Sequence, residues 1–412
     1  MSEENIGKNR WKVVIGALLV QLAAGTIYSW SALTTFVSPY IGEPEVISVY
    51  IFGAGLLSFA ITMIFAGKLQ QKYGPRKIAI LGGILIGAGV MLSALMTNFI
   101  GLFITYGVVF GAGIGFAYVC PIAAASKWFP DKKGLINGLA VAAFGAGAFV
   151  FNEVIKIIAP IGIPILFISL GLIYLALVIG GAFLLSNPPE GWKPAGWVPP
   201  PASDQTGISG LDFERRESIK RKQFWMLWLA FFLSAISGLM VIGSYKTFAS
   251  SFPTTPPSIG SYDIALIILI GSIAALFNAA GRVFWGKISD IISYKRTMML
   301  MFTIQGILMI IYFFTNMNII FYAIITCSIF FCFGGNFSLF PTATADLFGI
   351  KYLGENYGIV FTAYGIAGFI GATMVNTFVT LLGGFLMLYI IMGIMSFGSA
   401  IIIFFTKPPK NL

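Results

Sequence analysis

Long uninterrupted apolar runs constrain this chain more than any other feature of its sequence. A helix of about 20 apolar residues crosses the hydrocarbon core of a bilayer, which is roughly 30 Å thick. Charged residues make up 10% of the chain, against about 25% of a typical soluble domain, and the runs do not alternate as the strands of a membrane barrel do. The sequence therefore predicts an all-α polytopic membrane protein with twelve transmembrane helices, at 12–38, 46–66, 77–97, 99–126, 134–158, 161–186, 223–249, 262–286, 297–315, 317–341, 356–380 and 383–406.

The twelve runs fall into two groups of six with a polar segment between them. That segment holds a Pro-rich stretch followed by a run of charged residues, a composition typical of linkers. We therefore predict an N-terminal six-helix half at 1–186, a cytoplasmic linker at 187–222 and a C-terminal six-helix half at 223–412.

Basic residues outnumber acidic ones by 25 to 15, which gives a net charge of +10. If both termini are cytoplasmic, 22 of the 25 basic residues fall in cytoplasmic segments, as the positive-inside rule requires. Membrane topology thus explains the charge, and no nucleic-acid partner is expected. The chain has no His, which excludes imidazole metal sites and Ser-His or Cys-His catalysis. We predict no metal, no cofactor and no enzymatic activity.

The two groups of six also resemble each other. When the fourth run is aligned with the tenth, Gly115 and Pro121 correspond to Gly335 and Pro341 without a gap. Transporters commonly contain such parallel halves, related by an axis along the membrane normal. We therefore expect two pseudo-symmetric halves.

The loops after the second and eighth runs share a pattern. The segment Gly67-Lys-Leu-Gln-Gln-Lys-Tyr-Gly-Pro-Arg-Lys77 resembles the loop signature of the major facilitator superfamily between its second and third helices, and Gly286-Lys-Ile-Ser-Asp290 begins the partner copy. Gln71 stands where the family usually has Asp, and Ser293 where it usually has Gly. The resemblance implies the major facilitator fold.

Shorter motifs run through nearly the whole chain in a fixed order. They are Tyr28-Ser-Trp30, Tyr118, Lys127-Trp-Phe-Pro-Asp-Lys-Lys-Gly134, Asn187-Pro-Pro-Glu-Gly-Trp192, Phe224-Trp-Met-Leu-Trp228, Arg282-Val-Phe-Trp-Gly286, Leu339-Phe-Pro341 and Asn356-Tyr-Gly358. Together they resemble the oxalate:formate antiporter family, a bacterial and archaeal group related to the monocarboxylate transporters. The resemblance implies a carrier of small organic anions, and we expect a monomer in the bacterial or archaeal inner membrane.

The resemblance also implies a substrate site. By position, the family's substrate arginine on the eighth helix is Arg282. The second cation of the oxalate antiporter, a lysine on the eleventh helix, falls on Tyr364 when counted from Asn356-Tyr-Gly358. A dianion would thus meet one cation instead of two, which favours a monocarboxylate such as lactate, pyruvate or formate. The family's aromatic cavity lining falls on Tyr28, Tyr118, Phe144, Phe333, Phe337 and Phe361.

Arg282 indicates carboxylate binding independently of the family resemblance. A guanidinium costs roughly 2.5–3.5 kcal/mol at the centre of a membrane helix, so it is kept mainly where it faces a cavity or a partner. Its planar fork can hold a carboxylate by two parallel hydrogen bonds. The alternative is that the side chain extends to the cytoplasmic interface, since Gly286 lies only four residues on. Asn278, four residues earlier, shares its helix face and could orient the guanidinium or the substrate.

The other candidates have a structural alternative as well. Tyr28, Tyr118 and Tyr364 offer hydroxyls to a carboxylate, and the phenylalanines would supply apolar walls that strengthen its pairing with a cation. Each could equally be ordinary packing. Glu153 is a membrane-depth carboxylate that could carry a coupling proton, but Lys156 lies three residues on, and a local ion pair is the favoured interpretation.

Several functions remain open at this point. We favour a secondary transporter that moves a monocarboxylate together with a proton by alternating access, and the main alternative is an exchanger of one carboxylate for another. The chain has no GxxxxGK[ST] loop for ATP. A neutral sugar or drug would have no need of Arg282. A membrane enzyme or a receptor is disfavoured because buried acid/base groups are not clustered and no sizeable soluble domain is present.

Overall fold

The structure, a computed structural model, describes residues 3–129, 133–189, 192–194, 212–349, 352–381 and 383–409. Parts of two predicted segments lie outside the described residues. These are 130–132 of the Lys127–Gly134 motif, and 190–191 and 195–211 of the linker. The linker boundaries at 187 and 222 therefore stay a prediction.

The described residues form helices joined by short loops, and no strand occurs among them. The membrane-length helices are α1 Arg10–Ile41, α2 Glu45–Tyr73, α3 Pro75–Ser93, α4 Phe99–Trp128, α5 Lys133–Ile158, α6 Ile163–Leu184, α7 Lys222–Ser250, α8 Ile264–Ile292, α9 Tyr294–Tyr312, α10 Ile319–Phe348, α11 at 353–381, and α12 Phe385–Phe405. Helix α1 has a 3-10 turn at Gly25–Ser29, and α11 consists of two helices, Leu353–Val360 and Thr362–Leu381, that meet at Phe361.

The predicted class is confirmed. Within the described residues, eleven of these helices are long and apolar enough to cross a membrane, and the divided helix α11 occupies the remaining predicted span. Several helices extend beyond the apolar runs that predicted them: α2 ends at Tyr73 instead of the predicted 66, and α8 ends at Ile292 instead of the predicted 286. The polar loop signatures thus begin as the last turns of helices, because backbone hydrogen bonding continues after the apolar stretch has ended.

Packing of the helices repeats from the first six to the last six. Helix α1 packs on α4, α5 and α6, as α7 packs on α10, α11 and α12; likewise α2 packs on α4 and α3 on α6, as α8 packs on α10 and α9 on α12. The two sets meet along two extensive contacts, α2 with α11 and α5 with α8. These two contacts are themselves equivalent under the repeat, so the expected pseudo-symmetry is present.

The repeat is visible in the helix boundaries. The same gap-free alignment of the fourth and tenth runs takes both bounds of α4 onto those of α10. Both helices start after an asparagine whose side-chain oxygen accepts backbone N–H bonds, Asn98 from Gly101 and Asn318 from Ile320 and Phe321. Such a cap satisfies donors that would otherwise be unpaired at a helix start. The duplicated sequence therefore encodes a duplicated local structure.

Glycines occupy both contacts between the two sets of six. A Cβ added at Gly145 on α5 would lie 2.9 Å from the Asn278 Oδ1 and 3.1 Å from the Ala279 Cα on α8. One added at Gly365 on α11 would overlap the side chain of Ala60 on α2. The absence of side chains at these positions lets the helix backbones approach closely.

A buried ammonium also joins the two sets. Because successive spans reverse direction, the chain termini share one end of the bundle, and we call the opposite end the distal end. Near it, the Nζ of Lys246 on α7 donates to the Oγ1 of Thr34 (3.1 Å) and of Thr35 (2.6 Å) on α1, and to the Oε1 of Glu45 on α2 (2.8 Å). All three acceptors belong to the first six helices.

The two signature loops have the same unusual backbone conformation. Gly74, before α3, has φ 87° and ψ 156°, and Ser293, before α9, has φ 78° and ψ 151°. Only glycine adopts this region freely, and other residues lose about 1–3 kcal/mol there. The departure of the second loop from the family pattern therefore places a side chain where the backbone favours none.

We expect Ser293→Gly to stabilise the protein by about 1 kcal/mol, since relief of strain outweighs the greater freedom of glycine in the unfolded chain. The matched change, Gly74→Ser, should destabilise it by a similar amount, because nothing crowds a Cβ at Gly74 and the effect is one of backbone conformation alone. Thermal unfolding of the detergent-purified variants measures both. A lower midpoint for Ser293→Gly would contradict the assignment of strain.

Candidate functional site

Arg282 lies inside the helix bundle and is 1% exposed. Its Nε donates to the Oδ1 of Asn278, one turn earlier on α8 (3.1 Å), and its Nη1 donates to the carbonyl oxygen of Val141 on α5 (2.8 Å). The side chain therefore points toward the first six helices instead of extending to the cytoplasmic interface. It forms one of the polar contacts between the two sets.

The guanidinium still has donors to offer. Its Nη2 is buried and has no hydrogen-bond partner among the described residues, and the same holds for the Nδ2 of Asn278 beside it. No carboxylate in the described part of the chain forms an ion pair with Arg282. A buried cation without a counter-ion is costly, and two adjacent unpaired donors are what an incoming carboxylate would satisfy.

Two aromatic rings flank the guanidinium. The Arg282 Cζ lies 4.2 Å from the ring centroid of Phe337 on α10 and 5.3 Å from that of Phe144 on α5. Cation–π attraction at such distances contributes of the order of 1 kcal/mol. The rings hold the cation in place without using its N–H groups, so they leave those groups for a ligand.

A pair of tyrosine hydroxyls crosses the centre of the bundle. The hydroxyl oxygens of Tyr28 on α1 and Tyr364 on α11 are 2.9 Å apart. Both phenols, and that of Tyr118, lie close enough to Arg282 to interact with its charge. Tyr364, which the motif resemblance aligns with the oxalate antiporter's lysine, therefore offers a neutral hydroxyl that is bonded to that of Tyr28.

The predicted aromatic residues form one buried cluster. Ring centroids are 5.2 Å apart for Tyr118 and Phe144, 5.3 Å for Phe337 and Tyr364, and 4.9 Å for Phe361 and Tyr364. Phe333 joins the cluster through Phe337, at 5.5 Å. The structure brings together Arg282, Asn278, Tyr28, Tyr118, Tyr364, Phe144, Phe333, Phe337 and Phe361, each at most 6% exposed. We call this group with Phe59 the central cluster.

The shape of α1 brings Tyr28 into this cluster. The helix tightens to a 3-10 turn over Gly25–Ser29, which rotates the following residues relative to a regular α-helix. Gly25 packs against the backbone of Phe144, where a Cβ would overlap its carbonyl oxygen, and Gly147 on α5 lies against Gly25 in turn. Close approach of α1 and α5 thus positions the Tyr28 hydroxyl.

Glu153 lies outside the cluster. It pairs with Lys156 at 2.8 Å and its side chain is 47% exposed. Nine residues separate it from Phe144, about 13 Å along the axis of α5. The structure thus gives the local ion pair, and the proton-coupling role stays a prediction.

Three members of the site escaped the sequence analysis. Phe59 on α2 lies at the centre of the cluster, 5.2 Å from Tyr118 and 5.1 Å from Phe361. Tyr357, whose ring centroid lies 5.7 Å from that of Phe361, has a buried hydroxyl with no partner among the described residues. The third is the carbonyl of Val141.

A signal for Phe59 was present in the sequence. When the two signature loops are aligned at their first glycines, Gly67 and Gly286, the same alignment places Phe59 opposite Asn278. No comparable pattern identifies a backbone carbonyl such as that of Val141.

The donor set determines the chemistry that the site can perform. Arginine, amide and phenol groups bind anions through hydrogen bonds and charge. The described residues contain no group of three Cys, Asp or Glu side chains that could hold a metal ion. The site is therefore suited to binding a small anion, and it offers no carboxylate that would act as a base.

Comparison with known proteins agrees with the fold. The family model described as Major Facilitator Superfamily matches residues 13–372, and a second match covers 227–412. An uncharacterised MFS-type transporter of Escherichia coli K12, YhjX, is 30% identical over 368 residues, which cover 89% of this chain and 87% of that protein.

Two further relatives have named substrates. The oxalate:formate antiporter of Oxalobacter formigenes is 29% identical, covering 88% of this chain and 83% of its own length. Apicoplast pyruvate carrier 1 of Toxoplasma gondii is 26% identical, covering 86% and 81%. Their alignments extend over most of each protein.

Arg282→Met should raise the thermal stability of the ligand-free protein, by about 1–2 kcal/mol, because an apolar side chain of similar length replaces an incompletely satisfied buried cation. Lys246→Met is the matched control. It removes a buried cation whose partners are all present, so we expect it to destabilise by about 1–3 kcal/mol. Thermal unfolding in detergent measures both, and a several-degree loss of midpoint for Arg282→Met would instead make Arg282 structural.

Proposed function

The chain belongs to the major facilitator superfamily, and on that premise we propose that it transports small monocarboxylates of the lactate, pyruvate or formate type. The resemblance drawn from its motifs is confirmed at the level of the superfamily and of its oxalate:formate and monocarboxylate branch. The protein is therefore a multi-pass membrane transporter and not an enzyme. Its substrate and coupling are what we propose.

The observation that carries the proposal is the buried guanidinium of Arg282, which has no ionic partner among the described residues and whose Nη2 has no hydrogen-bond partner there. A carboxylate that accepted from its Nη2 and from the Nδ2 of Asn278 would satisfy two donors that have no other partner among the described residues, and it would neutralise the charge. A sugar or a neutral drug would supply no such charge. The substrate class therefore follows from the charge of the site and from the number of its free donors.

The surroundings favour a small anion. The aromatic rings of the central cluster come from six helices and bury Arg282, and a low local dielectric strengthens a cation–carboxylate pair. The hydroxyls of Tyr28, Tyr364 and Tyr357 could form hydrogen bonds with the hydroxyl of lactate or the keto oxygen of pyruvate, which formate lacks. Specificity among these substrates would then depend on hydrogen bonds to that substituent.

One cation supports a monocarboxylate over oxalate. The described central cluster contains a single basic side chain, Arg282, and by the motif resemblance Tyr364 stands where the antiporter has its lysine. A dianion would bring one negative charge too many into a buried site. We therefore rank monocarboxylate transport above oxalate:formate exchange, which remains the second candidate because of the relative from Oxalobacter formigenes.

We further propose electroneutral proton symport. A monocarboxylate that travels with one proton carries no net charge through the bundle, and the proton's site need not be a carboxylate of the central cluster. In an exchanger, by contrast, the outgoing anion instead of a proton balances the charge of the incoming one. Both modes use the same alternating access, in which the two sets of six helices rock about the site.

The direction of transport depends on orientation. With 22 of 25 basic residues in segments at the terminal end, the positive-inside rule places both termini in the cytoplasm and the distal end outside. The relatives from Escherichia coli and Oxalobacter formigenes support a bacterial inner membrane. We propose this location for the chain.

The first test is uptake of radiolabelled L-lactate, pyruvate, formate and oxalate into proteoliposomes, with and without an inwardly directed proton gradient. We expect gradient-driven uptake of a monocarboxylate that does not respond to an imposed membrane potential. Arg282→Ala should reduce uptake by about a hundredfold or more, because a buried charge-assisted pair contributes about 2–5 kcal/mol. Arg282→Lys keeps the charge but loses the planar guanidinium that can donate two parallel hydrogen bonds, and should retain only part of the activity.

Either of two results would overturn this assignment. Uptake that required internal oxalate or formate and ignored the proton gradient would identify an exchanger. Uptake of all four anions at undiminished rates by Arg282→Ala would remove Arg282 from the site, and the argument from its free donors would fail with it.

A second experiment tests the one-cation argument. Tyr364→Lys should increase oxalate uptake relative to lactate uptake by about tenfold or more, since a second cation compensates the second negative charge. Tyr364→Phe removes the hydroxyl without adding charge and serves as the control, with no gain for oxalate expected. An unchanged ratio in Tyr364→Lys would mean that Tyr364 does not face the substrate.

A further inference from the structure

Lys246 is the second buried cation that the structure describes at a contact between the two sets of helices. Its side chain is 2% exposed, whereas that of Glu45, its ionic partner, is 33% exposed. An ammonium has three N–H donors, and here all three are used, by Thr34, Thr35 and Glu45. The lysine is thus fixed within the protein while its carboxylate partner lies at the surface.

These residues form a site that already holds a carboxylate. The ammonium of Lys246 donates to the Oε1 of Glu45 at the first turn of α2, while the hydroxyl oxygens of Thr34 and Thr35 accept its other two N–H groups and hold it in place. A carboxylate from another molecule would make the same ion pair with Lys246. Glu45 therefore shows which ligand chemistry the site accepts.

The site lies between the distal end and the central cluster. Thr34 is six residues beyond Tyr28 on α1, a distance of about 9 Å along the helix axis. Gly243, three residues before Lys246 on α7, packs against Phe52 of α2, and Gly371 of α11 packs against Met240 of α7. A substrate that enters at the distal end must separate these helices, and so must separate Lys246 from Glu45.

Separation alone would leave a buried ammonium without its counter-ion. Loss of the counter-ion of a buried cation is strongly unfavourable, which would keep the distal end closed. An exchange of one carboxylate for another avoids this cost, because Lys246 pairs with the substrate as Glu45 leaves. The contacts therefore couple opening of the distal end to the arrival of an anion.

We propose that Lys246, positioned by Thr34 and Thr35, is a second carboxylate-binding site, occupied by Glu45 when the distal end is closed and by the substrate's carboxylate during entry. This rests on the proposed function, since it assumes a carboxylate substrate. This exchange of Glu45 for the substrate makes and breaks no covalent bond. The substrate would then move on to Arg282 as Glu45 returns to Lys246.

The test compares two substitutions that break the same ion pair. We expect Lys246→Gln to raise the KM for uptake from the distal side by about tenfold, because the entering anion loses its first cation. Glu45→Gln should lower that KM by about threefold, because the competing carboxylate is gone. Initial rates of lactate, pyruvate or formate uptake, whichever the wild type transports, are measured in vesicles whose distal side faces outward, as shown by protection of a C-terminal tag from protease.

A simple latch between the helices predicts something different. Either substitution would then unlock the distal end, and both would change the KM in the same direction, which would overturn the second site while leaving the monocarboxylate function intact. Lack of carboxylate uptake by the wild type would overturn both proposals together. Lys156→Gln is the matched control, since it also removes a lysine paired with a glutamate near the distal end, but within one helix.

Folding is checked by size exclusion and thermal unfolding of each variant. Should Lys246→Gln not be recovered as a folded protein, the double variant Thr34→Val and Thr35→Val keeps the charge and removes the two hydroxyls. We expect it to raise the KM by about threefold to tenfold. An unchanged KM in a folded double variant, or one lowered as in Glu45→Gln, would overturn the proposal.

Discussion

A charge enclosed by hydrocarbon must find its hydrogen-bond partners within the protein, because the bilayer core offers none. The two cations buried between the helix sets meet this constraint differently. Lys246 has three acceptors, and one of them is a carboxylate. Arg282 has two, an amide oxygen and a backbone carbonyl, and its Nη2 has no partner among the described residues. The difference separates a cation whose partner the chain supplies from one whose partner must arrive from outside.

The site combines a symmetric frame with asymmetric chemistry. The repeat pairs Phe59 with Asn278 and Phe144 with Tyr364, so equivalent positions of the two sets meet at the centre. The counterpart of Arg282, in the alignment that pairs Phe59 with Asn278, is the apolar Met63. Each pair has its polar member in the last six helices. The repeated helix packing thus builds the central cluster, and a few substitutions in the last six helices supply its charge, its amide and the Tyr364 hydroxyl.

Much of the fold could be predicted from the sequence because membrane helices are encoded locally, by runs of apolar residues about 20 long. The correspondence between α4 and α10 followed in addition from their repeat. Arg282 could be predicted because a charge inside an apolar run is rare and costly. The ion pair between Lys246 and Glu45 could not be predicted, because the two residues are 201 positions apart and the sequence around each gives no sign of the other. The Val141 carbonyl likewise has no side-chain signal.

The glycines at the contacts between the two sets, such as Gly145 and Gly365, have a consequence for motion. Surfaces without protruding side chains do not interlock, so one set can roll over the other without forcing rotamers to change. Such surfaces therefore hold no single orientation firmly. The barrier to rocking would then reside in a few polar contacts, those of Arg282, Lys246 and the Tyr28–Tyr364 pair. A carrier built this way can be controlled by its cargo, because the groups that resist the motion are those that the cargo can bind.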